Sequence, residues 1–121
     1  MENETFNSLF AALAVHLGAP NLHDSGTGVR FKSSRKGKAT VYHDRIAPGN
    51  QAEVAFEVAS MAARLRMAEG EFRSLVARLR ESTGRPTEPN IQYNWPRVGI
   101  ASSSHVTLVI EALEQRLQAA A

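Results

Sequence analysis

Two histidine–aspartate dipeptides, His23-Asp24 and His43-Asp44, are the residues whose types could do acid–base or metal chemistry. Imidazole and carboxylate are good ligands for divalent ions, and catalytic sites pair them. Adjacent residues on an extended chain point to opposite faces, so neither dipeptide can close on one ion by itself. A metal-dependent hydrolase would need all four groups to converge from two loops, and it would carry a stoichiometric divalent ion. The stretch "DSGTG" (Asp24 to Gly28) has the glycines of a phosphate loop but neither the "GK[ST]" ending nor a following helix. Asp24-Ser25 beside a histidine falls short of a nucleophilic triad, which is defined by geometry rather than proximity in sequence. There is no cysteine, which excludes disulfides, thiol catalysis and thiolate metal sites. These patterns nominate no catalytic residue, no metal ligand set and no cofactor.

A different chemistry is written in "RFKSSRKGK", Arg30 to Lys38. It holds five of the chain's 14 Lys and Arg and no acid, while the whole chain has a formal net charge of only +2. Arg30 and Lys32 alternate with Phe31 and so share the polar face of a strand, and Arg35, Lys36 and Lys38 crowd the turn. Ser33 and Ser34 add neutral donors, and Tyr42 offers a stacking ring on the next strand. Cations and hydroxyls on a protruding ribbon are what phosphate contacts require. Solubility is the competing explanation, because lysines on an edge hairpin prevent strands of different molecules from pairing. Glu53 and Glu57 are positioned by alternation to pair with Arg30 or Lys32 across the sheet. Exposed pairs contribute only about 0–1 kcal/mol, enough to dim the field without erasing it. Tyr93 and Trp95, with Pro96, form a second candidate patch, either a lid over the core or a binding platform.

The elements that must position these residues follow from hydrophobic period. Phe6, Leu9, Phe10, Leu13 and Leu17 predict a first helix over about Thr5–Leu17, stopped by Gly18 and Pro20, with His16 beside the stripe. The period then shortens to two in "GVRFKS". "SSRKGK" supplies a turn in which Gly37 can take positive φ, and "ATVYHD" returns as a second strand. Pro48-Gly49-Asn50 makes the next turn. "QAEVAFEVASMAARLRM" reads two ways, as a strand with Ala52, Val54, Phe56 and Val58 inward or as a helix capped by Asn50 and Glu53. Phe56 favours a strand to about Val58 and a helix from Ser60, since the helical reading places it in solvent. Helical pattern covers about Ser60–Ser82, broken or bent at Gly70, and Gly84 with Pro86 ends it. "WPRVGI" predicts a short strand at a sheet edge. The serines at 102–104 open a last helix with Val106, Val109, Leu113 and Leu117 on one face.

The order α-β-β-β-α-β-α predicts an α+β fold: one antiparallel sheet, a three-stranded meander plus a short fourth strand, packed by helices. At 121 residues this is a single domain, residues 1–121. Hydrophobic content of 43% and charged content of 21% are ordinary for a soluble protein. No apolar run reaches the length of a membrane span, and "MENETFNS" has acids where a secretory leader has cations. With no cysteine, the expectation is a cytoplasmic protein without a membrane role.

The segment "SMAARLRMAEGEFRSLVARL" has a helix-turn-helix flavour, with the small pair Ala62-Ala63 and an apolar Phe72 to lock a second helix. Arg66 stands where that motif has glycine, which would carry a positive-φ penalty if the geometry is kept. From Gly37-Lys38 onward, "GKATVYH", "AEVAFEVA", a helix, "NIQYNWPRVGI" and a closing helix resemble the small YjbR/MmcQ-like domains, over about two-thirds of the chain. Trp95 and Val98 are spaced as the tryptophan and aliphatic residue of that family. The length of Ser60–Ser82 and the proline-rich "GRPTEP" depart from it. The resemblance implies a double-wing fold similar to DNA-binding domains and no catalytic residues.

The expected function is therefore a small non-enzymatic module contacting nucleic acid, DNA or RNA, or another polyanion through Arg30, Lys32, Arg35, Lys36 and Lys38. The alternative is a protein-interaction or adaptor domain, with a protein partner or a homodimer formed through an open strand edge or the Tyr93–Trp95 patch.

Overall fold

The computed structural model describes residues 3–22, 27–88 and 94–120. Helix α1 (Glu4–Leu17) is followed by strands β1 (Asn21–Leu22), β2 (Gly28–Phe31), β3 (Ala39–Tyr42) and β4 (Ala52–Phe56). Helices α2 (Val58–Leu65) and α3 (Glu69–Thr83), strand β5 (Arg97–Ile100) and helix α4 (Ser103–Ala120) complete the chain. The sheet is antiparallel throughout, in the order β1-β2-β3-β4-β5. The α+β architecture is thus as the periodicities imply, with the two-residue β1 added at one edge.

Register explains the core. Val29, Val41, Val54 and Val98 lie opposite one another in a row across four strands. Phe31, Ala39 and Phe56 make the neighbouring row on the same face. Residues of all four helices join these rows in one buried cluster, including Leu9 and Leu13 of α1, Met61 of α2, Phe72 and Val76 of α3, and Val109 of α4. Fully burying each such aliphatic or aromatic side chain contributes about 1.5–3 kcal/mol. Phe56 packs edge-on against Phe72 with ring centroids 5.8 Å apart, tying β4 to α3.

Local signals account for the helix ends. The Asn3 side chain caps α1 by accepting from the Phe6 N–H at 2.9 Å. At α3 the Glu71 carboxylate reaches back to the Ala68 N–H at 3.2 Å, half of a capping box. The strand-to-helix switch comes two residues earlier than the alternation suggests, at Glu57. The Ser60 hydroxyl does not open the helix; it accepts from the Lys38 N–H at 3.0 Å and holds β3 to α2. The break between α2 and α3 falls at Arg66–Ala68 rather than Gly70. Arg66 takes φ 52 and ψ 52, and its N–H and that of Met67 close back on Ala63 and Ala62 carbonyls. The left-handed cap is therefore built on an arginine. No helix among the described residues is long and apolar enough to cross a membrane.

Candidate nucleic-acid interface

The β2–β3 connection begins as turn chemistry predicts. The Ser33 carbonyl accepts from Gly37 N–H at 2.9 Å, and the Ser33 hydroxyl accepts from Lys36 N–H at 3.1 Å. Gly37 has φ 116 and is buried; a Cβ there would lie 2.5 Å from the Met61 sulfur and 3.2 Å from Leu17. The Arg64 guanidinium clamps the turn further, one Nη donating to the carbonyls of both His16 and Lys36 at 2.9 Å. The hairpin is thus no free wing. Its tip is bolted to the end of α1 and the last turn of α2, which corrects the expectation of a protruding ribbon. The physical cause is Gly37, whose missing side chain lets the turn lie on Met61.

Within this rigid frame, Lys32, Arg35 and Lys36 are exposed and make no ion pair among the described residues. Lys38 is half-exposed and 3.9 Å from the Glu57 carboxylate. The sequence expectation that Glu53 also faces solvent is wrong. Glu53 does lie on the sheet face away from the main core, but it is 0% exposed. Its Oε1 accepts from Arg97 Nη1 at 2.8 Å and Glu88 N–H at 3.0 Å, and its Oε2 from Ala47 N–H at 2.7 Å and Asn50 Nδ2 at 2.9 Å. The strap 85–88 covers this face: Asn50 donates to the Pro86 carbonyl at 2.8 Å and accepts from Arg85 Nε at 2.7 Å. Gly99 leaves room for the strap, since a Cβ there would sit 2.8 Å from Arg85 and from the Pro86 carbonyl. Tyr42 is likewise engaged, with the Arg97 guanidinium 4.1 Å from its ring centroid. A carboxylate with four donors and no exposure is an anchor rather than a general base.

That anchor positions Trp95. Arg97 is fixed by Glu53, and the Pro96 carbonyl accepts from the Phe56 N–H at 3.1 Å, so the residue just before β5 is held against the end of β4. Here the strand ends of β2, β3 and β4 meet it. Arg30, Lys32 and Lys38 line a cleft of about 360 Å³ with Phe31, Glu57 and half-buried Trp95. The structure thereby joins two surfaces that the sequence presents separately, the cationic hairpin and the aromatic patch. Arg35 and Lys36 stay outside the cleft, on the turn. Tyr93 lies outside the described residues.

Trp95 is also a wall of a second cleft of about 420 Å³, which Arg73 and Arg80 of α3 enter with Thr87 and Glu88. Sequence reasoning missed Arg73 and Arg80. Their seven-residue spacing places them on one helix face, but nothing local says that this face meets Trp95.

Of the two histidine–aspartate pairs, only His43-Asp44 falls among the described residues, and its side chains turn to separate partners. His43 packs its ring edge-on against Phe6 at 4.8 Å, and the Asp44 carboxylate accepts from the Arg45 N–H at 2.9 Å. His23 and Asp24 lie outside the described residues. Among the described residues, no three His, Asp or Glu side chains are grouped to hold a metal ion. A third cleft, about 490 Å³, lies between α1 and α4, where His16 and Glu114 pair at 3.0 Å beside Arg64 and Arg66.

Comparisons with family models, curated proteins and solved structures find no match.

Proposed function

We propose that this protein is a non-enzymatic binding module that contacts nucleic acid through the cleft at the strand ends and the basic turn beside it. The observation that carries this reading is the lining of one cleft by Arg30, Lys32, Lys38 and Trp95. Phosphates take the cations and a base takes the indole, a pairing common among proteins that hold unpaired nucleic-acid strands. Arg35 and Lys36, exposed on the adjoining turn, extend the positive field. Glu57, 3.9 Å from Lys38, subtracts from it. A bolted hairpin favours the reading, because side chains on a fixed backbone lose less freedom on binding than side chains on a mobile one. The resemblance to YjbR/MmcQ-like domains belongs to the same proposal and adds no residue to it.

The variant Lys32→Ser/Arg35→Ser/Lys36→Ser tests the reading, since the three side chains are exposed and hold nothing in the fold. Binding of a labelled oligonucleotide is measured by anisotropy across a salt series. The expected result is weaker binding and a log–log salt slope flattened by about 2 to 3, the counterions that three lost phosphate contacts no longer release. Binding of unchanged strength and unchanged slope would remove the proposal.

A further inference from the structure

We propose that the bound partner is a single strand, and that its path runs from the hairpin cleft across Trp95 to Arg73 and Arg80 on α3. This rests on the proposed function and names its substrate class. Trp95 is the wall common to the two clefts, with Arg30 and Lys32 on one side and Arg73 and Arg80 on the other. An indole set between two groups of cations matches the alternation of base and phosphate along one strand. In a duplex the base faces are stacked inside, so only an unstacked base can meet the ring. Each cleft, about 360 and 420 Å³, falls in the size range of small-ligand sites and suits individual nucleotides.

The duplex-reading alternative is a helix-turn-helix made of α2 and α3, whose connection carries Arg66 in the left-handed region. Major-groove readers contact base edges from the start of the second helix. Here that first turn carries Glu69 and Glu71, whose charges oppose phosphate. The cations Arg73 and Arg80 lie on the face toward Trp95 instead. Glu88 also lines the second cleft and lowers its field, so the α3 segment is the weaker half of the track.

The full chain contains one tryptophan, so its fluorescence reports this position alone. It is titrated with a pyrimidine-rich single strand of DNA, the corresponding RNA, and the duplex of the same sequence, at one low salt concentration. Single strands should quench Trp95 and bind at least about ten-fold tighter than the duplex. Trp95→Ala, followed by anisotropy, should weaken strand binding about 5- to 150-fold, with Trp95→Phe between it and the parent. Arg73→Ser/Arg80→Ser should reduce the single-strand salt slope by about 1.4 while the melting curve is unchanged. Equal or tighter duplex binding, or a slope unmoved by the α3 variant, overturns this inference even if the hairpin triple variant still weakens binding. Failure of the hairpin variant to weaken any probe overturns the proposed function instead.

Discussion

Glu53 is the residue on which the interface depends without belonging to it. Its four accepted hydrogen bonds hold Arg97, Asn50, the turn at Ala47 and the strap at Glu88, and through Arg97 they fix the approach to Trp95. Removing one partner from a buried ion pair leaves the other charge uncompensated, at a cost of about 3–5 kcal/mol. Glu53→Ala is expected to lower the urea unfolding midpoint by a corresponding amount, and a loss below about 1 kcal/mol would show that the strap is held by other contacts. The alternation of β4 made half of this legible: Glu53 does face away from Val54 and the main core. The other half was not, because a period-two pattern distinguishes the two faces of a sheet but does not say what covers the second one. The strap comes from residues more than thirty positions away, and only Gly99 and the buried donor-rich Asn50 hint that backbone approaches there.

At the scale of elements, the changes of period from helix to strand and back were readable, and so the α+β order was too. The strand β1 was not, since two residues cannot display a period. The usual preference for glycine points to Gly70 for the α2–α3 break, yet Gly70 sits inside the first turn of α3 with nothing within 4 Å of its would-be Cβ. The chain bends at Arg66, where a left-handed conformation costs a residue with a side chain about 1–2 kcal/mol. Glycine relieves that strain but adds unfolded-state entropy worth about 0.5–1 kcal/mol. Arg66→Gly is therefore expected to raise stability by about 0.5–1 kcal/mol in chemical denaturation. It should leave oligonucleotide affinity unchanged, because Arg66 lines neither cleft at Trp95; reduced stability would mean that the arginine side chain contributes more than its backbone strain removes. The hairpin teaches the same lesson in reverse. Its cations were plain in the sequence, whereas its attachment to the helices rests on Gly37 meeting Met61 and on Arg64 reaching two carbonyls, contacts that no local pattern announces.

For the whole molecule, a net charge of +2 predicts little affinity for nucleic acid, and placement has to supply what the total does not. The fold gathers Arg30, Lys32 and Lys38 from the hairpin and Arg73 and Arg80 from α3 around the chain's sole tryptophan. Three acids are engaged elsewhere, Glu53 inside, Glu114 on His16 and Glu71 on a helix cap, while Glu57 and Glu88 each line one of the two clefts. The rival reading, a protein-interaction or adaptor domain, predicts a dimer or a protein partner, insensitivity to hairpin charge and loss of association on Trp95→Ala. The most direct measurement is Trp95 fluorescence during titration with an unlabelled single strand, repeated as salt is raised from about 50 to about 200 mM. Saturable quenching is expected at low salt, with a midpoint that moves to roughly ten-fold or more higher strand concentration at high salt. Emission that stays constant throughout, in protein shown to be folded, would contradict it.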